Sequence, residues 1–465
     1  MTNSRSVQAL VLGGGITGLT AARDLAKHFE SVLVLESSDH LGGSIGAITI
    51  AGQSVDSGAE AFAVSRDDAV LLIESLGLMD DLVVPSRADA RIRTGEETYL
   101  IPYGILGIPS NLDDPAVLAA VGADALSEAR ELDSLSWNVS SPISIGHLVR
   151  KRLGNAFADR LLAPVVGGVH AANPDSLDAD AIAPGLVSSA EKAGSLTAAV
   201  ARMRAAAAVS RPGGAIMSLR GGMHSLIDAL SRDLEQSGVS ILLSASAASA
   251  TYSAGAWRVT TEGGDEYSSE VLVVALPARA AAQLFAADRL LSEPLSEVQT
   301  VDVAIVILAV RGAPELDSAP LGSGVLISAG TEGIEAKAST HATAKWEWLA
   351  QRSGDIHILR FSYGRDGHLP SDLAGLPEQA LADAKELYGL ISPEVIAAKT
   401  ILWPASLVHP GTGHLEVAER VNDEVSKRIN LEIIGAGLGG NGITGAIRQA
   451  HDAVSRLIMR YFRGD

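Results

Sequence analysis

The sequence predicts a chain of mixed α/β and α+β class. It should hold a Rossmann-like dinucleotide-binding domain, a mixed-sheet domain and a helical insert. Three features point to this. Residues 7–36 read as apolar strand, glycine turn, helix, apolar strand and acid. Residues 111–209 are rich in Ala and Leu at helical spacing, and residues 300 to about 425 alternate strand and helix patterns.

The first unit begins with the apolar run Val7 to Leu12 and enters Gly13, Gly15 and Gly18 in GxGxxG spacing. Gly13 suits a tight turn, Gly15 lets backbone approach a pyrophosphate, and Gly18 lets helix and strand pack closely. The free N–H groups and dipole of the following helix favour an anion there. Glu36 ends the second strand 18 residues past Gly18, near the spacing expected for an acid on a ribose hydroxyl.

Further on, residues 85–105 read as short strands with turns, including Arg91 to Arg93 and Tyr99 to Pro102. Prolines 142, 164, 174 and 184 interrupt the helical stretch, and Ser210 to Gly214 is a break. A helix is expected over His224 to Gln236, then alternating strands that end at Pro277. Val303 to Val310 is an eight-residue apolar run, read as a buried strand. Leu431 to Ile434 is another strand, followed by a second GxGxxG at Gly435 to Gly440. Only 25 residues remain after Gly440, and a helix takes most of them. That leaves no room for a second strand and acid, so no second dinucleotide fold is expected. The last helix instead offers its N-terminus, with Gly442, Ile443 and Thr444, to the group bound by the first unit.

Composition narrows the class. The 465 residues are 47% hydrophobic and 20% charged, enough for two or three globular domains. A net charge of −19 argues against nucleic acid and against docking on an anionic membrane. No run approaches the roughly 18 apolar residues of a spanning helix. No secretory signal is visible, and a cytoplasmic protein is expected. With no cysteine, the chain has no disulfide, thiolate metal site, thiol nucleophile or cysteine-tethered cofactor. The 11 histidines show no metal spacing, so no metal is expected.

Gly42, Gly43 and Ser44 follow Glu36, and Val55 to Glu60 follow them, with Gly58 in the middle. This arrangement resembles the flavoprotein superfamily of amine oxidases, phytoene desaturases and porphyrinogen oxidases, which implies FAD. An Arg is common where Ser44 stands. The resemblance also implies an adenine contact at Ala247 and a flavin-side role for Trp403. It implies that Gly442, Ile443 and Thr444 lie nearest the flavin ring.

The middle of the chain narrows this further. Leu162 to Leu177, with Pro164, Gly167, Gly168 and His170, resembles the corresponding segment of protoporphyrinogen and coproporphyrinogen oxidases, although His170 stands where Tyr or Phe is usual. Lys337 to Thr340 through Lys345 and Trp346, and Trp403 to Ala405 through His414, resemble two more blocks of that family. The resemblance implies six-electron oxidation of a porphyrinogen, with oxygen reoxidising the flavin to give H2O2. No side chain is required as a general base, so the catalytic residue is left unassigned and the flavin carries the chemistry. Arg66 is either a propionate partner or a solvated residue at a helix start. Gly168 is a pyrrole N–H acceptor or a turn glycine. Trp346 is a macrocycle-stacking or a core aromatic, and Leu326 an apolar wall or a core strand residue.

With 4% aromatic residues and no long aromatic-rich amphipathic helices in the insert, the chain resembles the soluble branch of that family, which implies coproporphyrinogen III as the substrate. Protoporphyrinogen IX is the near alternative. An amine oxidase or a non-catalytic porphyrin-binding scaffold is more distant. Hand-off of the porphyrin to the next haem-pathway enzyme is plausible. The expected division is 1–78, 210–285 and 426–465 for FAD, 79–110 and 286–425 for substrate, and 111–209 for the insert.

Overall fold

The computed structural model describes residues 4–64, 66–86, 89–207 and 216–463. The break expected at Ser210 to Gly214 lies outside the described residues.

The opening strand Ser4–Leu12 pairs in parallel with Val32–Leu35 on one side and Glu266–Val274 on the other. Ser240–Leu242 extends this sheet beyond Val32–Leu35, and Leu431–Ile433 beyond the end of Glu266–Val274, both in parallel. An antiparallel hairpin, Ala247–Ser253 with Ala256–Thr261, continues from the first half of Glu266–Val274. The parallel strands are apolar nearly throughout because both faces are covered. Ala9 and Val11 join one core with Leu19, Leu25, Ile447 and Leu457, whereas Leu10 and Leu12 join another with Leu284, Leu295 and Val421. Alternation along the strand assigns each residue to its core.

A second seven-stranded sheet runs in the order Glu394–Val408, Thr300–Arg311, His357–Tyr363, Ala338–His341, Gly324–Ile327, Ala90–Thr94, Glu97–Leu100. Its neighbours are antiparallel except Gly324–Ile327 with Ala90–Thr94. This is therefore a mixed sheet, where the first is mainly parallel. On Thr300–Arg311, Ala304, Val306, Leu308 and Val310 pack under the helix Leu376–Tyr388. Val303 and Ile305 turn to the other face.

The intervening stretch is helical from Pro115–Val121 to Leu196–Ala207. Its helix starts use side-chain caps at Asp114, Ser144 and Asp178. Buried Asp133 accepts from the Leu196 amide and the Ser195 hydroxyl, tying two helices together. No described helix is long and apolar enough to cross a membrane.

Candidate active site

The glycine turn follows the opening strand as steric rules require. Gly13 has φ +102°, and a Cβ on it would lie 2.4 Å from the Ala275 carbonyl oxygen. A Cβ on Gly18 would fall 1.9 Å from the Gly13 carbonyl oxygen, so no other residue lets this helix seat on this strand. Gly15 and Gly43 face each other, and a Cβ on Gly15 would meet nothing nearer than the Gly43 Cα at 3.9 Å. The two residues leave a strip of bare backbone. Gly15 begins the helix Ile16–Leu25 without a side-chain cap, so its first N–H groups stay free for an anion.

Glu36 borders this strip. Its carboxylate accepts the Gly14 amide at 2.6 Å and the Ser38 amide at 2.8 Å. Burial would raise its pKa, but these donors outweigh burial and hold it below the ordinary value. The segment after Ser240–Leu242 bonds to Glu36 through the Ala245 amide, and Ala247 starts the hairpin two residues later, half-buried. A side-chain-free strip, free helix N–H groups and an ionised acid fit the pyrophosphate and ribose of a dinucleotide.

A cavity of about 410 Å³ lies beside this turn. Ile16, Thr17, Ser44, Gly58 and Ala59 line its nucleotide side, and Gly440, Asn441, Gly442 and Ile443 bring the start of the C-terminal helix to it. Thr444, one residue further on, donates to the Ala63 carbonyl at 2.7 Å and fixes that helix start. Val303, Ile305, Lys337, Ser362 and Trp403 form the sheet side, and Gly168 enters from the helical stretch. Trp403 Nε1 donates to the Ser57 carbonyl at 3.1 Å, which holds the Gly58 segment against the sheet.

The Gly58 segment is also clamped by charge. Glu60 pairs with Lys345 and Arg360, and Arg360 also donates to the Gly58 carbonyl at 2.6 Å. Burial opposes ionisation of Glu60, yet the two cations hold its pKa down to about 2. This clamp was not foreseen from the sequence, because Glu60 and Lys345 are 285 residues apart.

The expected substrate residues are placed as follows. Gly168 abuts Leu326, whose Cδ2 would lie 2.5 Å from any Cβ added there; Leu326 itself packs on the helical core and does not line the cavity. Trp346 is 3% exposed, packed with Ile50, Val55 and Ile307, and is likewise outside the cavity lining. Arg66 is exposed just before the helix Asp68–Ser75. Lys337, which carried no assigned role, faces the cavity and is 1% exposed. Burial pushes its pKa down to about 8, with a smaller contribution from Arg365. The signal available in the sequence was a lysine between Ala336 and Ala338 at the start of an otherwise uncharged strand.

Comparison with known proteins adds the family. Residues 16–399 match the family model of the flavin containing amine oxidoreductases. The chain belongs to that family. FAD is its cofactor, and the glycine strip with Glu36 is where the residues fit that group. Among curated members, the coproporphyrinogen III oxidase of Mycobacterium tuberculosis is 29% identical over 458 residues, covering 96% of each chain. That of Staphylococcus aureus is 23% identical over 472 residues, covering 96% of this chain and 98% of the relative. A solved Exiguobacterium structure, described as a candidate protoporphyrinogen oxidase, superposes with TM-score 0.82 at 25% identity. It covers 98% of this chain and 99% of that one. A reduced UDP-galactopyranose mutase shares the fold at TM-score 0.74 and 14% identity, covering 97% of this chain and 95% of that one.

Proposed function

We propose that this flavoprotein oxidises coproporphyrinogen III to coproporphyrin III, removing six electrons in three two-electron steps. Three O2 would accept them and leave as three H2O2, so the porphyrinogen loses six hydrogens and the balance closes. The observation that carries this reading is the cavity itself. One side is the flavin-fitting glycine turn and helix start, and the other is an apolar strand face bearing a buried cation. The end-to-end likeness to relatives named coproporphyrinogen III oxidases supports the same substrate.

Bound FAD supplies the two-electron acceptor. The chain's residues position and shield. Gly58, Ala59 and Ser44, held by the Trp403 and Glu60 contacts, would support the flavin ring. The start of the C-terminal helix would favour negative charge developing on it. Val303 and Ile305 give the macrocycle an apolar surface, and Gly168 offers backbone rather than a side chain. Arg66, exposed just before the helix Asp68–Ser75, would meet a propionate. We assign Gly13, Gly15, Gly18, Glu36, Gly42, Gly43 and Ala247 to the adenine dinucleotide part. The three-part domain division given above, a cytoplasmic setting and transfer of product to the next haem-pathway enzyme belong to the same reading.

The test is porphyrin fluorescence in air from FAD-loaded protein given coproporphyrinogen III or protoporphyrinogen IX. Faster formation of coproporphyrin supports the assignment, and preference for the proto substrate would reverse it. No oxidation of either would remove the porphyrinogen reading and turn attention to amines.

A further inference from the structure

Among the described residues, Lys337 is the one cation on the sheet side of the cavity, and its surroundings leave its charge uncompensated. Its backbone is locked in the sheet, the amide donating to Ser362 at 2.8 Å and the carbonyl accepting from Ile327 at 2.9 Å. Its ammonium has no hydrogen bond or ion pair among the described residues. Among the described residues, the charged neighbour that perturbs it is Arg365, which repels it. His170 nearby is kept neutral, its pKa pushed down to about 4 by burial and then by Lys337 and His409. A buried ammonium without a partner is costly, and a ligand carboxylate brought to it would offset that cost.

Resting on the porphyrinogen reading above, we propose that Lys337 binds a substrate carboxylate that coproporphyrinogen carries and protoporphyrinogen lacks. Coproporphyrinogen has four propionates; protoporphyrinogen has vinyl groups in place of two of them. A propionate reaching Lys337 pairs with a charge that is largely shielded from water. A vinyl group there shields the ammonium further and gives it nothing in return. The same residue would then favour one substrate and penalise the other. Arg66 is exposed, so its charge is already solvated and a vinyl group beside it carries no comparable penalty.

The test compares wild type, Lys337→Met and Lys337→Arg, each at matched FAD content, with both porphyrinogens. Lys337→Met should lower the copro-to-proto ratio of kcat/KM by about 30-fold or more, mainly through KM, and Lys337→Arg should retain most of the ratio. Binding of the two product porphyrins, followed by fluorescence quenching, should show the same loss for coproporphyrin alone. In wild type the ratio should also fall as pH rises through about 8, where Lys337 deprotonates while His170 is already neutral and Arg365 stays charged. Equal losses on both substrates, or a shifted flavin absorption band with an unchanged ratio, would overturn the proposal and assign the lysine to the flavin. An unchanged ratio in Lys337→Met, with wild type still oxidising coproporphyrinogen, would overturn this inference alone. A wild type inert toward both would remove the porphyrinogen reading with it.

Discussion

The nucleotide side of the cavity is made of backbone, whereas the sheet side is made of side chains. On the first side, residue types are imposed by space: a Cβ at Gly13 or Gly18 collides with a carbonyl oxygen. On the second, Val303 and Ile305 come from Thr300–Arg311, Ser362 from His357–Tyr363 and Lys337 from the residue just before Ala338–His341, and their side chains could be exchanged without breaking the sheet. On the proposed function, binding of the common cofactor is tied to the fold, and substrate choice would rest on a few replaceable side chains. The contrast also says where damage should be total and where it should be selective.

The largest effect is expected on the backbone side. Gly18→Ala places a methyl 1.9 Å from the Gly13 oxygen. The turn must open, at about 1–3 kcal/mol, and flavin content at purification should drop by roughly ten-fold or more. Full flavin loading in this variant would break the comparison.

Glu60 joins the two sides and should come next. Glu60→Gln leaves Lys345 and Arg360 without their carboxylate, at about 3–5 kcal/mol of stability by urea unfolding. The sign with pH follows from the lowered pKa. The carboxylate stabilises the fold fully above its ordinary value of 4.5, and the effect is lost as pH falls through about 2. The gap between wild type and Glu60→Gln should therefore close in acid. A constant gap down to pH 2 would show that the clamp does not act through charge.

Smaller effects sharpen the picture. Thr444→Val removes the bond to the Ala63 carbonyl and should cost about 1 kcal/mol. Its kcat should fall more than its flavin content, because the helix start is loosened while the glycine turn is intact. Arg66→Ala, at an exposed position, should raise KM only a few-fold and weaken its salt dependence. A loss as large as that at Lys337 would mean that Arg66, not the buried cation, recognises the substrate.

These differences in construction explain what was legible beforehand. The glycine turn, Glu36, the helix His224–Gln236 and the strand around Val303 to Val310 are written in local patterns, and the structure has them. The mixed sheet and its helical neighbour follow from alternation and helical spacing. The Glu60 clamp and the setting of Lys337 depend on strand order and on partners hundreds of residues away, which one-dimensional spacing does not encode. Trp346 shows the opposite difficulty. An aromatic beside a family-like block is equally compatible with stacking on a ligand and with the core, and the structure packs it among Ile50, Val55 and Ile307.

The most direct measurement is an anaerobic single turnover, mixing FAD-loaded wild type with coproporphyrinogen III and following the visible flavin band. Bleaching of the flavin in step with the loss of substrate, reversed on admitting oxygen, is the predicted result. Flavin that stays oxidised while the porphyrinogen is bound would contradict the assignment of this cavity as the place where the two meet.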